Sequence, residues 1–123
     1  MKIYIAGPYT PITNDIHDAI RIANKNVERA ISIAIEIINR GHVVYIPQLS
    51  HFIHIQLKEH EVKTKEFWYN FDLEWLKVCD ALFYMESSEG ADKELEWAEK
   101  NGLHIFKRIG DVPVNGSYVW DTE

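Results

Sequence analysis

Four short apolar runs punctuate this chain: IYIA at 3–6, HVVYIP at 42–47, ALFYM at 81–85 and LHIFK at 103–107. Each is β-branched or aromatic enough to suit a short buried strand. Between them, apolar residues return at helical spacing. Ile16, Ile20, Ala23, Val27, Ala30, Ala34 and Ile37 alternate four- and three-residue steps, as on one face of a long amphipathic helix, and Gly41 stops the pattern. Phe67, Phe71, Trp75 and Val78 keep helical spacing before the third run, as do Ala91, Leu95 and Ala98 before the fourth.

Strands alternating with helices build a parallel sheet covered on both faces, joined by right-handed crossovers. The expected fold is α/β, a flavodoxin-like three-layer sandwich with a parallel sheet in strand order 2-1-3-4. SYVW at 117–120 reads as a short fifth strand or a docked extension. Ile31, Ile35 and Ile38 add a second stripe to the end of the first helix, so that half is expected to be buried on two sides, under a neighbouring helix or a second subunit.

With 123 residues, 46% of them hydrophobic and 26% charged, the chain fits a single domain over 1–123. A net charge of −6 argues against nucleic acid as a partner, since polyanion binding draws on clustered Lys and Arg; a small molecule suits the composition better. One cysteine, Cys79, excludes an internal disulfide framework and reads as a reduced packing residue. Met1-Lys2 runs directly into the first strand, and no apolar run is long enough to span a bilayer. The expectation is a cytoplasmic protein with no membrane partner.

Ligands of open parallel sheets sit beyond the carboxyl ends of the strands, where the strand order reverses. Order 2-1-3-4 makes strands one and three neighbours, so GPYT after the first and ESSEGADKE after the third face each other across that crevice. The loops exclude some common occupants. No Gly-rich sequence ends in Lys-Ser/Thr, no G-x-G-x-x-G follows a strand, and Ala6-Gly7-Pro8 lacks the acidic residues of a phosphoacceptor.

Two carboxylates stand out. Glu94 has Gly90 and Ala91 at i−4 and i−3, so small residues leave space over its carboxylate. Its bland alternative is a solvated face shared with Asp92, Glu96 and Glu99. Asp72 has Trp68, Tyr69, Trp75 and Leu76 at three and four residues, surroundings that raise a carboxyl pKa unless a cation or donor intervenes. Its alternative is a partly exposed aspartate paired with Lys65 or another nearby cation. Two carboxyls of unlike environment facing one pocket suit cleavage of a glycosidic bond, one attacking the anomeric carbon while another group protonates the leaving group. Tyr4, near the end of strand one, either orients the nucleophile or simply packs in the core.

IYIAGP, DLEWLKVCDALFYM and the S-x-G-x-x-x-E of Ser88, Gly90 and Glu94 together resemble the nucleoside 2-deoxyribosyltransferase superfamily over residues 2 to about 107. DLEWL, Asp80 and the S-x-G-x-x-x-E are most like its 2′-deoxynucleoside 5′-phosphate N-hydrolases, and PQLSHF at 47–52 is also like small uncharacterised bacterial and phage members. The resemblance implies Glu94 as nucleophile on C1′, Asp72 as the residue assisting proton transfer to the departing base, and Tyr4 as the group holding Glu94. It further implies that Ser88 and Gly90 contact phosphate at a helix N-terminus. Gly7, Pro8 and Tyr9 would line the crevice, with Pro47 and His51 bordering the base pocket.

GPYTPITN carries no basic residue, and Glu89 and Asp92 flank the anion position with only Lys93 against them, so a free nucleoside stays open beside a 5′-monophosphate. His51 and His54 share a helical face but lack a third ligand, and no metal or organic cofactor is expected. The functional expectation is N-glycosidic cleavage with release of free base, the alternatives being deoxyribosyl transfer between bases or a non-catalytic nucleotide-binding module. Related enzymes complete their pockets with a neighbouring subunit, which implies a homodimer or larger assembly.

Overall fold

The order of elements is set by caps and breakers that the sequence supplies. The structure, a computed structural model, describes residues 1–9 and 15–115, so the SYVW segment lies outside the described residues. The elements are β1 (Lys2–Ala6), α1 (Ile16–Asn39), β2 (Val43–Tyr45), α2 (His51–His54), α3 (Lys65–Leu76), β3 (Ala81–Tyr84), α4 (Glu89–Lys100) and β4 (His104–Phe106). Single 3₁₀ turns occupy Pro47–Ser50, Glu59–Glu61 and Ile109–Asp111. Asp15 caps α1 by accepting from the amides of His17 and Asp18, Thr64 caps α3 through Phe67, and Ser88 caps α4 through Ala91. Gly41 and Gly102 take φ of +93° and +73° just beyond α1 and α4, a conformation costly to residues with a Cβ.

All strand pairs are parallel and the sheet runs β2-β1-β3-β4, a flavodoxin-like α/β arrangement. Alternation along each strand divides the core in two. Ile3 and Ile5 of β1 meet Ala30, Ala34 and Ile37 of α1 together with Phe83. Tyr4 and Ala6 point the other way, against Leu76, Leu82, Ala91 and Ala98. Alanines at four of these helix positions let α1 and α4 approach the sheet closely. Each fully buried isoleucine or leucine contributes about 1.5–3 kcal/mol. The same alternation sends Tyr4, with none of its surface exposed, toward the α3–α4 side.

Two apolar stripes lie without a cover in the described chain. Phe67, Phe71, Trp75 and Val78 do not face the core; all four are exposed, and α3 instead buries Leu76. Ile35 of the second α1 stripe is 52% exposed, while Ile31 and Ile38 are half-buried, so no element of the described chain covers that stripe. Spacing reports which residues share a helix face, and it cannot say whether a neighbour lies against that face.

Candidate active site

β1 and β3 end side by side, with Met85 N–H donating to Ala6 C=O at 2.7 Å. The loops leaving them therefore start from adjacent points at the carboxyl edge of the sheet. A Cβ on Gly7 would stand 2.5 Å from Met85 Cε and 3.2 Å from Met85 Cβ, so the glycine lets the two loops close on each other. Gln48, just past β2, is fully buried and donates from Nε2 to Gly7 C=O at 3.2 Å. Its Oε1 is buried without a partner, and so is Trp68 Nε1.

α4 carries Glu94 inward beneath that edge, where only 7% of it is exposed. The Tyr4 hydroxyl donates to Glu94 Oε2, while Oε1 has no hydrogen-bond partner among the described residues. Burial pushes the Glu94 carboxyl up to about 8; the Tyr4 bond pulls it down, and the charge of Asp72 adds to the rise. Burial and the nearby Glu94 and Asp72 charges raise the Tyr4 phenol well above its ordinary value, so it stays a neutral donor.

Asp72 enters from α3. Tyr45 of β2 donates its hydroxyl to Asp72 Oδ1 at 3.1 Å, and Oδ2 has no partner among the described residues. No cation lies within ion-pair distance of Asp72 or Glu94 among the described residues, so the pairing of Asp72 with Lys65 does not form. Burial lifts Asp72 to about 6, and the Tyr45 bond holds it below what burial alone would give. Register places Tyr4 beside Tyr45, their rings stacked with centroids 5.5 Å apart, and Trp75 also stacks on Tyr45 at 5.3 Å. Two carboxyls from two helices thus converge on one aromatic stack.

The remaining candidates fall into two groups. Tyr9 and His51 meet, hydroxyl to Nδ1 at 2.9 Å, with His51 buried and the His54 ring lying 5.8 Å from Tyr9 and 4.4 Å from Trp68. Asn26, buried in α1, reaches Tyr9 C=O at 3.4 Å and ties the β1 loop to that helix. Pro8 is half-buried, as is Pro47 at the start of its 3₁₀ turn. This cluster borders the carboxylates through Trp68, one turn before Asp72. No group of three or more His, Cys, Asp or Glu could hold a metal ion among the described residues.

At the start of α4, Ser88 Oγ is committed to its cap, and Gly90 faces open space. Glu89 pairs with Lys93 at 3.5 Å. Asp92 is not merely solvated: it accepts from Tyr84 at 2.6 Å and from Ser87 at 2.8 Å, bonds that hold its carboxyl below the usual range. These contacts pin the loop after β3, and they leave two acidic side chains in the first turn of α4.

Sequence reasoning missed Tyr45 as a contact of Asp72. The signal was present, since HVVYIP aligned in parallel beside IYIA sets Tyr45 level with Tyr4 and on its face. Cys79, half-buried, donates to Trp75 C=O at 3.4 Å, and burial pushes its thiol up to about 11, an inert packing role. No helix among the described residues is long and apolar enough to cross a membrane.

No curated protein matches the chain. Residues 1–108 match a family model described as a domain of unknown function, DUF7768. That match spans the sheet, all four helices and both carboxylates, and the chain belongs to the DUF7768 family.

Proposed function

We propose that the chain cleaves the N-glycosidic bond of a nucleoside, deoxynucleoside or nucleoside 5′-monophosphate and releases the free base. Glu94 Oε1 attacks C1′, the C1′–N bond breaks, and its electron pair stays with the base, which takes the Asp72 proton. Water then attacks C1′ while Asp72 accepts its proton, and the Glu94 carboxylate is released. A second base in place of water would make the same intermediate a deoxyribosyl transfer. The observation that carries this reading is the arrangement of the two acids: each has one oxygen held by a tyrosine hydroxyl and the other without a partner.

The acidic first turn of α4 favours an uncharged nucleoside over its 5′-monophosphate. Glu89 and Asp92 stand where a phosphate would approach the helix N-terminus, and Lys93 is already paired. Exposed Ile35 beside half-buried Ile31 and Ile38 on α1 supports a homodimer as the working form, and the net charge of −6 argues against a nucleic-acid partner; a cytoplasmic protein with no membrane partner belongs to the same reading.

The order of the two pKa values favours a second assignment of roles. With Glu94 near 8 and Asp72 near 6, a pair holding one proton keeps it mostly on Glu94. Reaching the form with Glu94 ionised and Asp72 protonated therefore carries a free-energy cost. Exchanging the roles removes that cost, with Asp72 attacking and Glu94 donating the proton.

The test is a panel of ribo- and deoxyribonucleosides and their 5′-monophosphates, scored by chromatography for free base. Base release lost in Glu94→Gln and Asp72→Asn supports cleavage. Binding without release, unchanged by either substitution, would replace it with a non-catalytic binding module.

A further inference from the structure

We propose that Tyr45 is a positioning residue for Asp72, fixing which of its two oxygens carries the proton exchanged with the leaving base. This inference rests on the cleavage reading above.

The Tyr45 ring stacks on Tyr4 at 5.5 Å and on Trp75 at 5.3 Å, with interplanar angles of 29° and 17°. Held by two rings, it cannot swing without breaking two aromatic contacts. Its hydroxyl therefore has a fixed origin 3.1 Å from Asp72 Oδ1. The carbonyl oxygen of a protonated carboxyl is a better acceptor than its hydroxyl oxygen, so a phenol that donates to Oδ1 favours the proton on Oδ2. That is the oxygen with no partner among the described residues.

Burial and the charge of Asp72 raise the Tyr45 phenol above its ordinary value, so it keeps its proton and can donate to Asp72 across the working range. The titratable groups facing Asp72 are Tyr45 from β2, Tyr4 from β1 and Glu94 from α4; Cys79 acts on Tyr45 alone. Of these, only Tyr45 bonds Asp72.

Trp75 binds the device to α3. Asp72 and Trp75 lie three residues apart on one helix, so the turn that delivers the carboxylate also delivers the outer ring of the stack. Tyr45 and Trp75 also line an apolar groove of about 360 Å³ at the free edge of β2, with Leu49, Ile53 and Phe71. The groove holds neither carboxylate and is not part of the inference.

The experiment compares wild type with Tyr45→Phe, which keeps the stacked ring and deletes the hydroxyl. Asp72 is followed by carboxyl ¹³C NMR titration, its signal assigned by loss in Asp72→Asn, and base release is measured across the same pH range. Loss of a donor to the carboxylate moves the Asp72 midpoint up by about one unit. The acid limb of the rate profile moves with it, at unchanged KM. An Asp72 midpoint that stays in place in Tyr45→Phe overturns the proposal. If wild type releases no base from any nucleoside, the cleavage reading fails, while the NMR titration still decides whether Tyr45 controls Asp72.

Discussion

Tyr4 and Tyr45 lie side by side on neighbouring parallel strands, rings stacked, each donating its hydroxyl to a carboxylate from a different helix. β1 thereby controls Glu94 and β2 controls Asp72. Deleting the first hydroxyl isolates its contribution. Tyr4→Phe leaves Glu94 buried without its donor, and a hydrogen bond to a charged group is worth about 1.5–3 kcal/mol. Base release should fall by about 10- to 100-fold, read from kcat/KM. A rate within twofold of wild type would mean the hydroxyl does not act on the reacting carboxylate.

The pH dependence follows from the pair. With one carboxyl titrating near 6 and the other near 8, activity should trace a bell centred near pH 7. The bell looks the same whichever carboxyl is the nucleophile, because both assignments use the singly protonated pair. Initial rates from pH 5 to 9 measure it; activity still rising above pH 9 would contradict the coupling.

Glu94 should also make stability depend on pH. The folded chain keeps this proton up to about pH 8, whereas an unperturbed glutamate releases it near 4.5. The folded state thus binds the extra proton throughout that window, and stability falls as pH rises across it. Glu94→Gln removes the titration. Its stability advantage over wild type should grow by on the order of 4 kcal/mol between pH 4.5 and 8. Denaturant melts at the two ends of the window test this, and an advantage that does not vary with pH would place the carboxylate in water.

Gly7 sets the distance between the β1 and β3 loops. Gly7→Ala drives a methyl into Met85; the flexible Cε can move, but the Cβ contact at 3.2 Å involves an atom tied to the backbone. The expected cost is about 1–2 kcal/mol. Thermal melts of Gly7→Ala against wild type measure it, and an unchanged melting temperature would show that the two loops separate without cost.

The order of elements was legible in the sequence because its causes are local, and the strand order came with it as the common arrangement of alternating strands and helices. Four β-branched runs and a Gly at the end of the first helix are signals that act within a few residues. The meeting of Tyr4 with Glu94 was also within reach, since strand alternation and the order 2-1-3-4 put both on one side of the sheet. What was not legible depends on neighbours distant in sequence. Phe67, Phe71 and Trp75 keep helical spacing, yet they face outward, because α3 packs through Leu76 and no element among the described residues covers the aromatic stripe. Asp92 reads as one more surface acid until the folded loop brings Tyr84 and Ser87 to it. Tyr45 needed the parallel register to be seen at all.

The most direct measurement of the account is covalent trapping. A nucleoside bearing 2′-fluorine destabilises the oxocarbenium-like transition states and slows breakdown of a glycosyl-enzyme, so the sugar should remain attached to the protein. Intact mass and peptide mapping then locate it. The account predicts one sugar per chain, on the peptide carrying Glu94 and absent from Glu94→Gln. A label on Asp72 would exchange the roles of the two acids, and full base release with no label on either residue would contradict the covalent mechanism.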